Sequence, residues 1–278
     1  MHKIIRPVLG LVIWLGCSGV VRADILLEEN FDYGPGRLVD VSNNAWVVHF
    51  GETPLMVDEN GAAFLNQPDS VSGREDVHRE MSVSINPLTD NITKLYAGFT
   101  VNFTSLPTGS GTRGLIGSFF AHFRPSDASE AYARVGATLE GAAPGEFRLA
   151  VSNESWNLAT TFEHPTPLHL NVSYRVLIGL DLATDRVTLW VDPEDENSTS
   201  VTATDLISYG DGPIASFALR QGYTGGTTDF GAFGALRFDD LVIATQFSQA
   251  LVIPEPALWV LFSLGFAAIG GSRKLGRR

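Results

Sequence analysis

Apolar and polar residues alternate with a period of two along most of this chain. In "KLYAGFTVNF", Leu95, Ala97, Phe99, Val101 and Phe103 fall on one face and Tyr96, Gly98, Thr100 and Asn102 on the other, as in a strand with one buried side. "SYRVLIGLDLATDRVTLWVDP" reads as a hairpin. Tyr174, Val176, Ile178, Leu180 and Leu182 share a face, "ATD" turns the chain, Val187, Leu189 and Val191 return it, and Pro193 stops it. Further strands are predicted in "VHREMSVSI", "LIGSFFAHF", "AYARVGATL", "EFRLAVS", "IASFALRQG" and "GALRFDDLVIAT", separated by loops rich in Gly, Pro, Ser, Thr and Asp. Between these loops no run of ten or more residues has helical periodicity.

In "LRFDDLVIAT" the apolar positions change parity. Leu236 and Phe238 are even, Leu241 and Ile243 odd, so a β-bulge at Asp239-Asp240 is needed to keep one buried face. The alternative is a strand covered on both sides. About ten strands in roughly 230 residues, with no Pro/Ser linker dividing them, predict one all-β domain over residues 24–250. Its architecture is two antiparallel sheets packed face to face as a jelly-roll β-sandwich.

The two ends break the alternation. "MHKIIRP" is basic, "VLGLVIWLGCSGVV" is apolar but short for a membrane span, and "VRA" offers small residues, so residues 1–23 read as an export signal cut after Ala23. Gly16-Cys17 resembles the end of a lipobox, but Trp14 is bulky where that motif takes an aliphatic residue. Cys17 is the only cysteine, so a chain without residues 1–23 has no disulfide and no thiol chemistry. At the other end, residues 251–278 hold Pro254-Glu255-Pro256, a 15-residue apolar run from Ala257 to Gly271, and the basic residues Arg273, Lys274, Arg277 and Arg278. A helix of that run is about 22 Å long against roughly 30 Å of bilayer hydrocarbon, a marginal span. The basic stub would keep the C-terminus cytoplasmic and the domain outside.

Charge sharpens this picture. Formal net charge is -12, but both ends are basic, and the stretch between them has 12 basic and 30 acidic residues. Such an excess disfavours nucleic acid as a partner, because phosphate binding needs clustered Lys and Arg.

Two resemblances follow from these segments. "FDYGPGRL", "YRVLIGLDLATDRVTLWVDP" and "ALRFDDLVIAT" resemble the opening strand, central hairpin and closing strand of concanavalin A-like, laminin-G-like jelly rolls. "YAGFTVNFTSLPTGSG", "FFAHFRPSD", "YARVGATLEG" and "FALRQG" are similar to uncharacterised bacterial exported proteins with the same ending. That ending resembles the PEP-CTERM sorting signal of Gram-negative bacteria. The resemblance implies Sec export, recognition and cleavage near Pro254, Glu255 and Pro256 by an exosortase, a transient membrane anchor, and delivery to the cell envelope, outer surface or extracellular matrix.

The core declares no reaction. The E-x-D-x-x-E strand of laminarinase-like jelly rolls, whose two glutamates straddle the sugar bond, is absent. "DPEDEN" at 192–197 follows a strand-stopping proline and reads as a loop tip. Jelly-roll alginate lyases carry an Arg-x-Glu strand, and "VHREMSV" departs from it. His78 and Glu80 can share a face, but Arg79 points to the other, and a cross-strand ion pair is the simpler expectation. His49, His78, His122, His164 and His169 show no zinc spacing.

Calcium is the metal that laminin-G-like folds suggest. Asp32, near the first strand, and Asp239 or Asp240, in the last, could meet if those strands pair. The plainer expectation is that these aspartates cap loops or pair with Arg237. Among Trp46, Trp156 and Trp190, Trp190 lies opposite Leu189 and Val191 and is the best candidate for a sugar-stacking aromatic. The Asn-x-Ser/Thr sequons at Asn91, Asn102, Asn153, Asn171 and Asn197 read as strand and turn composition, given an ending that resembles a bacterial sorting signal.

Two functions fit this sequence. One is a non-enzymatic surface or matrix protein whose jelly roll binds exopolysaccharide or serves as a building block. The other is a polysaccharide-active hydrolase or lyase, which Glu80 facing His78 in a groove would favour.

Overall fold

A computed structural model describes residues 25–67, 73–107, 116–126, 131–153, 156, 161–203, 212–221 and 232–253. The export signal with Ala23, and the tail with Pro254, Glu255, Pro256, Arg273, Lys274, Arg277 and Arg278, lie outside the described residues. Among the described residues no helix is long and apolar enough to cross a membrane.

In chain order the early strands are β1 (Ile25–Glu29), β2 (Gly36–Arg37), β3 (Val47–Phe50), β4 (Met56–Val57) and β5 (Ala63–Gln67), with helix α1 (Leu38–Val41) after β2. The long strands β6 (Asp76–Ile85), β7 (Lys94–Ser105), β8 (Ile116–Pro125), β9 (Tyr132–Thr138) and β10 (Glu146–Ser152) follow. After them come β11 (Phe162–Glu163), β12 (Leu168–His169), β13 (Ser173–Asp181), β14 (Arg186–Val191) and β15 (Ser200–Ala203). The last elements are β16 (Ile214–Arg220), β17 (Gly234–Ala244) and helix α2 (Phe247–Leu251).

The strands form two antiparallel sheets. The first runs β15-β14-β13-β7-β17-β5-β4-β2, with β1 also on β17, and the second runs β11-β10-β9-β8-β16-β6-β3, with β12 also on β10. This is the jelly-roll sandwich that the alternation predicts. The odd face of β7 and the Tyr174–Leu182 face of the hairpin enter one continuous buried core between the sheets. Phenylalanines fill its centre: Phe99 stacks on Phe238 at 4.7 Å, and Phe103 meets Phe147 at 4.5 Å. Each side chain so buried stabilises the fold by about 1.5–3 kcal/mol.

The bulge forms as the parity change requires. β17 slips against β7 between Asp239 and Val242, Asp240 takes a φ of 53°, and Leu236, Phe238, Leu241 and Ile243 all reach the same core. The bulge also divides the strand's other edge. Residues up to Phe238 pair with β5, and those from Leu241 onward pair with β1.

A second, smaller apolar cluster lies on the outer face of the first sheet. Tyr96, Leu177, Trp190 and Ala244 are capped there by Phe247 and Ala250 of α2. Arg175 ties this cap down, donating to the carbonyls of Asp240 (2.7 Å), Ala250 (2.7 Å) and Val252 (3.0 Å).

Candidate functional site

Strand alternation decides which side chains leave the core of the second sheet. On β6, Val77 and Met81 are buried between the sheets, so His78 and Glu80 face outward. On β16, Phe217 and Leu219 point in while Ser216, Ala218 and Arg220 point out. On β8, Phe123 points in and His122 and Arg124 point out. Register then aligns these residues in rows. His78, Ala218 and His122 form one, with Glu80, Ser216 and Arg124 beside it and Arg220 opposite Asp76 on the other flank. The methyl of Ala218 leaves the space between the two imidazoles low.

The edge strand β3 adds a third histidine at its own irregularity. The register of β3 against β6 shifts between Val48 and Phe50, and this brings His49 Nδ1 to 3.3 Å from His78 Nδ1. Two facing ring nitrogens need one hydrogen between them, so one ring donates and the other accepts. On its far side His78 Nε2 lies 3.4 Å from Glu80 Oε1.

Phe119 of β8 anchors the other half of the face. The Arg220 guanidinium sits 4.4 Å from its ring centre, the Arg134 guanidinium 5.1 Å, and the His122 ring meets it edge-on at 5.3 Å. Trp156 packs against Phe119 at 5.6 Å and lies over Gly136, where a side chain would come 2.5 Å from the indole. Arg220 is also fixed by donating to Ser118 Oγ at 2.7 Å and by Asp76 at 3.6 Å.

The electrostatics keep the imidazoles neutral. Burial, then Arg124, His78 and Arg220, push His49 down to about 3. His122 is only 4% exposed, and burial, then Arg134, His49, Arg220 and Arg124, hold it well below the usual histidine range. His78 is lowered by burial and Arg124, with Glu80 acting the other way.

Four buried polar atoms on this face have no hydrogen-bond partner among the described residues: His122 Nδ1, Ser216 Oγ, Ser152 Oγ and Arg148 Nε. Buried polar atoms are nearly always satisfied, so these four call for partners beyond the described residues, as do Asn102 Oδ1, Arg175 Nε and Gln249 Oε1 elsewhere. The face can donate from guanidinium groups, accept or donate at neutral imidazoles, and stack an aromatic edge.

The other sequence-derived candidates separate. Trp190 is not an exposed stacking aromatic. It is 5% exposed because α2 covers it, with Phe247 edge-on at 5.2 Å. His78 and Glu80 do share a face, whereas Arg79 turns inward to pair with Glu29 between the sheets. His164 is buried against the Thr199 carbonyl at 3.1 Å, and His169 is exposed near Glu146.

For the calcium candidates, β1 and β17 do pair, and each aspartate accepts a hydrogen bond on one oxygen. Asp32 accepts from Asn30 at 2.8 Å. Asp240 accepts from Thr100 at 2.9 Å, and its own N–H donates to Asp239 at 2.8 Å. Arg237 pairs with Asp58, not with either bulge aspartate. Among the described residues no group of three or more His, Cys, Asp or Glu is placed to hold a metal ion, while burial, with Asp240, Asp32 and Asp58 near by, raises the Asp239 carboxyl to about 7.

The alternation of "FFAHFRP" places His122 and Arg124 on one face and would have pointed to this site. What it could not supply is the pairing of β8 with β16, or the kink that delivers His49.

No family model and no curated protein matches the chain. Among solved structures, alginate lyase Aly36B is similar at 12% identity and a TM-score of 0.50, over 78% of this chain and 95% of that one. A mutant of the same enzyme in complex with alginate trisaccharide gives 12% identity and a TM-score of 0.50 over 79% and 97%. The CBM2 module of an evolved Dit from Lactobacillus casei BL23 phage J-1 gives 12% identity and a TM-score of 0.43 over 84% and 98%. At this identity the likeness shows the jelly-roll fold.

Proposed function

We propose that this chain is an exported surface or matrix protein that binds polysaccharide on the outer face of its second sheet, with a preference for acidic sugars. The carrying observation is a cluster of guanidinium and imidazole groups on one face of an acidic chain. A stretch with 12 basic and 30 acidic residues gathers Arg124, Arg134 and Arg220 around three neutral histidines and leaves His122 Nδ1 and Ser216 Oγ without partners. Guanidinium groups suit carboxylates or sulfates, and neutral imidazoles suit hydroxyls. A jelly roll of similar fold holding an alginate trisaccharide supports the reading. In titration calorimetry with an oligouronate, His122→Ala and Arg124→Ala should each weaken binding about tenfold, the scale of a lost charge-assisted hydrogen bond. Unchanged affinity in both variants would refute the assignment.

A second reading, polysaccharide lyase, is favoured by one detail. His122 stands beside guanidinium groups, an imidazole next to groups that neutralise a carboxylate, while burial and those cations lower its basicity. Release of unsaturated uronate, followed by its ultraviolet absorbance, distinguishes cleavage from binding.

The sorting signal completes the proposal. Export by the Sec machinery, cleavage after Ala23, and exosortase processing near Pro254-Glu255-Pro256 would place the jelly roll in the envelope or extracellular matrix of a Gram-negative bacterium. The intact mass of the native protein should correspond to a chain beginning at Asp24 and lacking Arg273, Lys274, Arg277 and Arg278. A mass that includes Arg278 would contradict processing.

A further inference from the structure

We infer that the outer face of the first sheet carries a second, separate saccharide site, suited to uncharged sugars, so that one molecule presents two glycan-binding faces. Two recesses of about 410 and 450 Å³ adjoin there, each within the roughly 300–1,000 Å³ typical of small-molecule clefts. They share Lys94, Tyr96 and Glu196, which stand between them as a low ridge: Glu196 Oε1 accepts from both Lys94 Nζ and Tyr96 Oη at 2.7 Å.

The floor of the first recess is a single register row. Tyr96 of β7 opposes Gly179 of β13, Gly179 opposes Thr188 of β14, and Thr188 opposes Thr202 of β15. Small residues at the middle of this row create the hollow. A β-carbon on Gly179 would come 2.9 Å from the Tyr96 ring and 3.0 Å from the Trp190 ring, so glycine is needed to keep both rings at the wall. The Thr188 and Thr202 hydroxyls lie 3.0 Å apart on the floor, with Ser200 at the margin. The second recess continues the same chemistry with Thr93, Thr245, Gln246 and Ser248.

This lining differs from the arginine and histidine face in the property that selects a ligand. Charges on its rim come in opposite pairs, Lys94 with Glu196 at 2.7 Å and Asp181 in register with Arg186. Their fields cancel at the scale of a sugar ring, so a uronate gains nothing over a neutral hexose. Hydroxyls, which both donate and accept, match those of a neutral saccharide. The two faces lie on opposite outer surfaces of the sandwich, so occupation of one leaves the other open, and the molecule can bridge two chains.

The test uses the full chain in titration calorimetry, with cello-, manno- and β-1,3-gluco-hexasaccharides as neutral probes and an oligouronate as the acidic one. At least one neutral hexasaccharide should bind. Its affinity should fall tenfold or more in Thr202→Trp, which fills the recess, and stay within twofold of wild type in His122→Ala. Oligouronate binding should be unaffected by Thr202→Trp. If that variant does not fold, as read by circular dichroism, Ser200→Gln makes a smaller intrusion from the edge strand and decides the question alone. The inference is overturned if no neutral hexasaccharide binds, if binding survives the filled recess, or if His122→Ala abolishes it. Failure of the acidic-sugar reading shows separately, as loss of oligouronate binding by every form of the protein.

Discussion

Glu29 holds the end of the sandwich together through an unusual number of contacts for one buried carboxylate. It is 4% exposed, pairs with Arg79 across the two sheets, and accepts from Trp46 Nε1 and Tyr33 Oη at 2.9 Å and from the Phe31 N–H at 2.8 Å. Removing it strands a half-buried guanidinium and leaves the Trp46 N–H without its acceptor. Glu29→Ala should therefore cost about 3–5 kcal/mol in urea denaturation, whereas an exposed carboxylate such as Glu52 should cost almost nothing when replaced. The histidines make a second prediction at this scale. His49 titrates near 3 in the folded chain because of burial and its cationic neighbours, against about 6.5 when unfolded. Below that unfolded value the unfolded chain takes up protons that the folded one refuses, so His49 and His122 make the protein lose stability as pH falls from about 6.5 towards 3. Asp239 acts with the opposite sign. Burial, then Asp240, raises its carboxyl to about 7, so its charged form burdens the fold increasingly as pH rises from about 4 to 7. Asp239→Asn should leave stability unchanged near pH 4 and raise it progressively towards pH 7, measured as urea midpoints; a gain confined to acid pH would reverse the assignment.

At the scale of elements, the short helix α2 depends on the sheet beneath it, since five residues cannot sustain a helix alone. Arg175 supplies the attachment, and Gly98 lets the Ala250 carbonyl come down onto the strand, where any side chain would collide. Arg175→Met should release α2, uncover Trp190, shift its fluorescence to longer wavelength, and cost about 2 kcal/mol from lost charge-assisted bonds. An unchanged spectrum would mean that packing of Phe247 alone retains the helix. The elements also show what a sequence can reveal. β7, the β13-β14 hairpin and the β17 bulge were legible because long strands with one buried face must alternate, and a parity break has few remedies. The two-residue strands β2, β4, β11 and β12 were not, since a period of two needs more residues to declare itself. Trp190 was placed on the correct face of its strand, but strand periodicity does not say that a helix 57 residues later will cover that face. The strand predicted in "LIGSFFAHF" ends at Phe123 and so misses Arg124 beside His122; their meeting with Arg134 and Arg220 depends on which strands pair.

For the whole molecule, the sandwich separates three tasks by location. Its interior is aromatic and aliphatic, one outer face collects arginine and histidine, and the other carries hydroxyls and paired charges beside α2. The chain's acidic excess coexists with a face that gathers Arg124, Arg134 and Arg220, with Arg220 paired to Asp76, and this clustering is what favours an acidic polysaccharide ligand. Salt should weaken that ligand more than a neutral sugar, because screening acts on the guanidinium contacts. The most direct measurement is a map of amide hydrogen exchange on the full chain with and without saturating oligouronate. Protection should concentrate on β6, β8 and β16, around His78, His122, Arg124 and Arg220, and require about tenfold more oligouronate in His122→Ala. Protection confined to β13, β14 and β15, or none at saturation, would contradict the account.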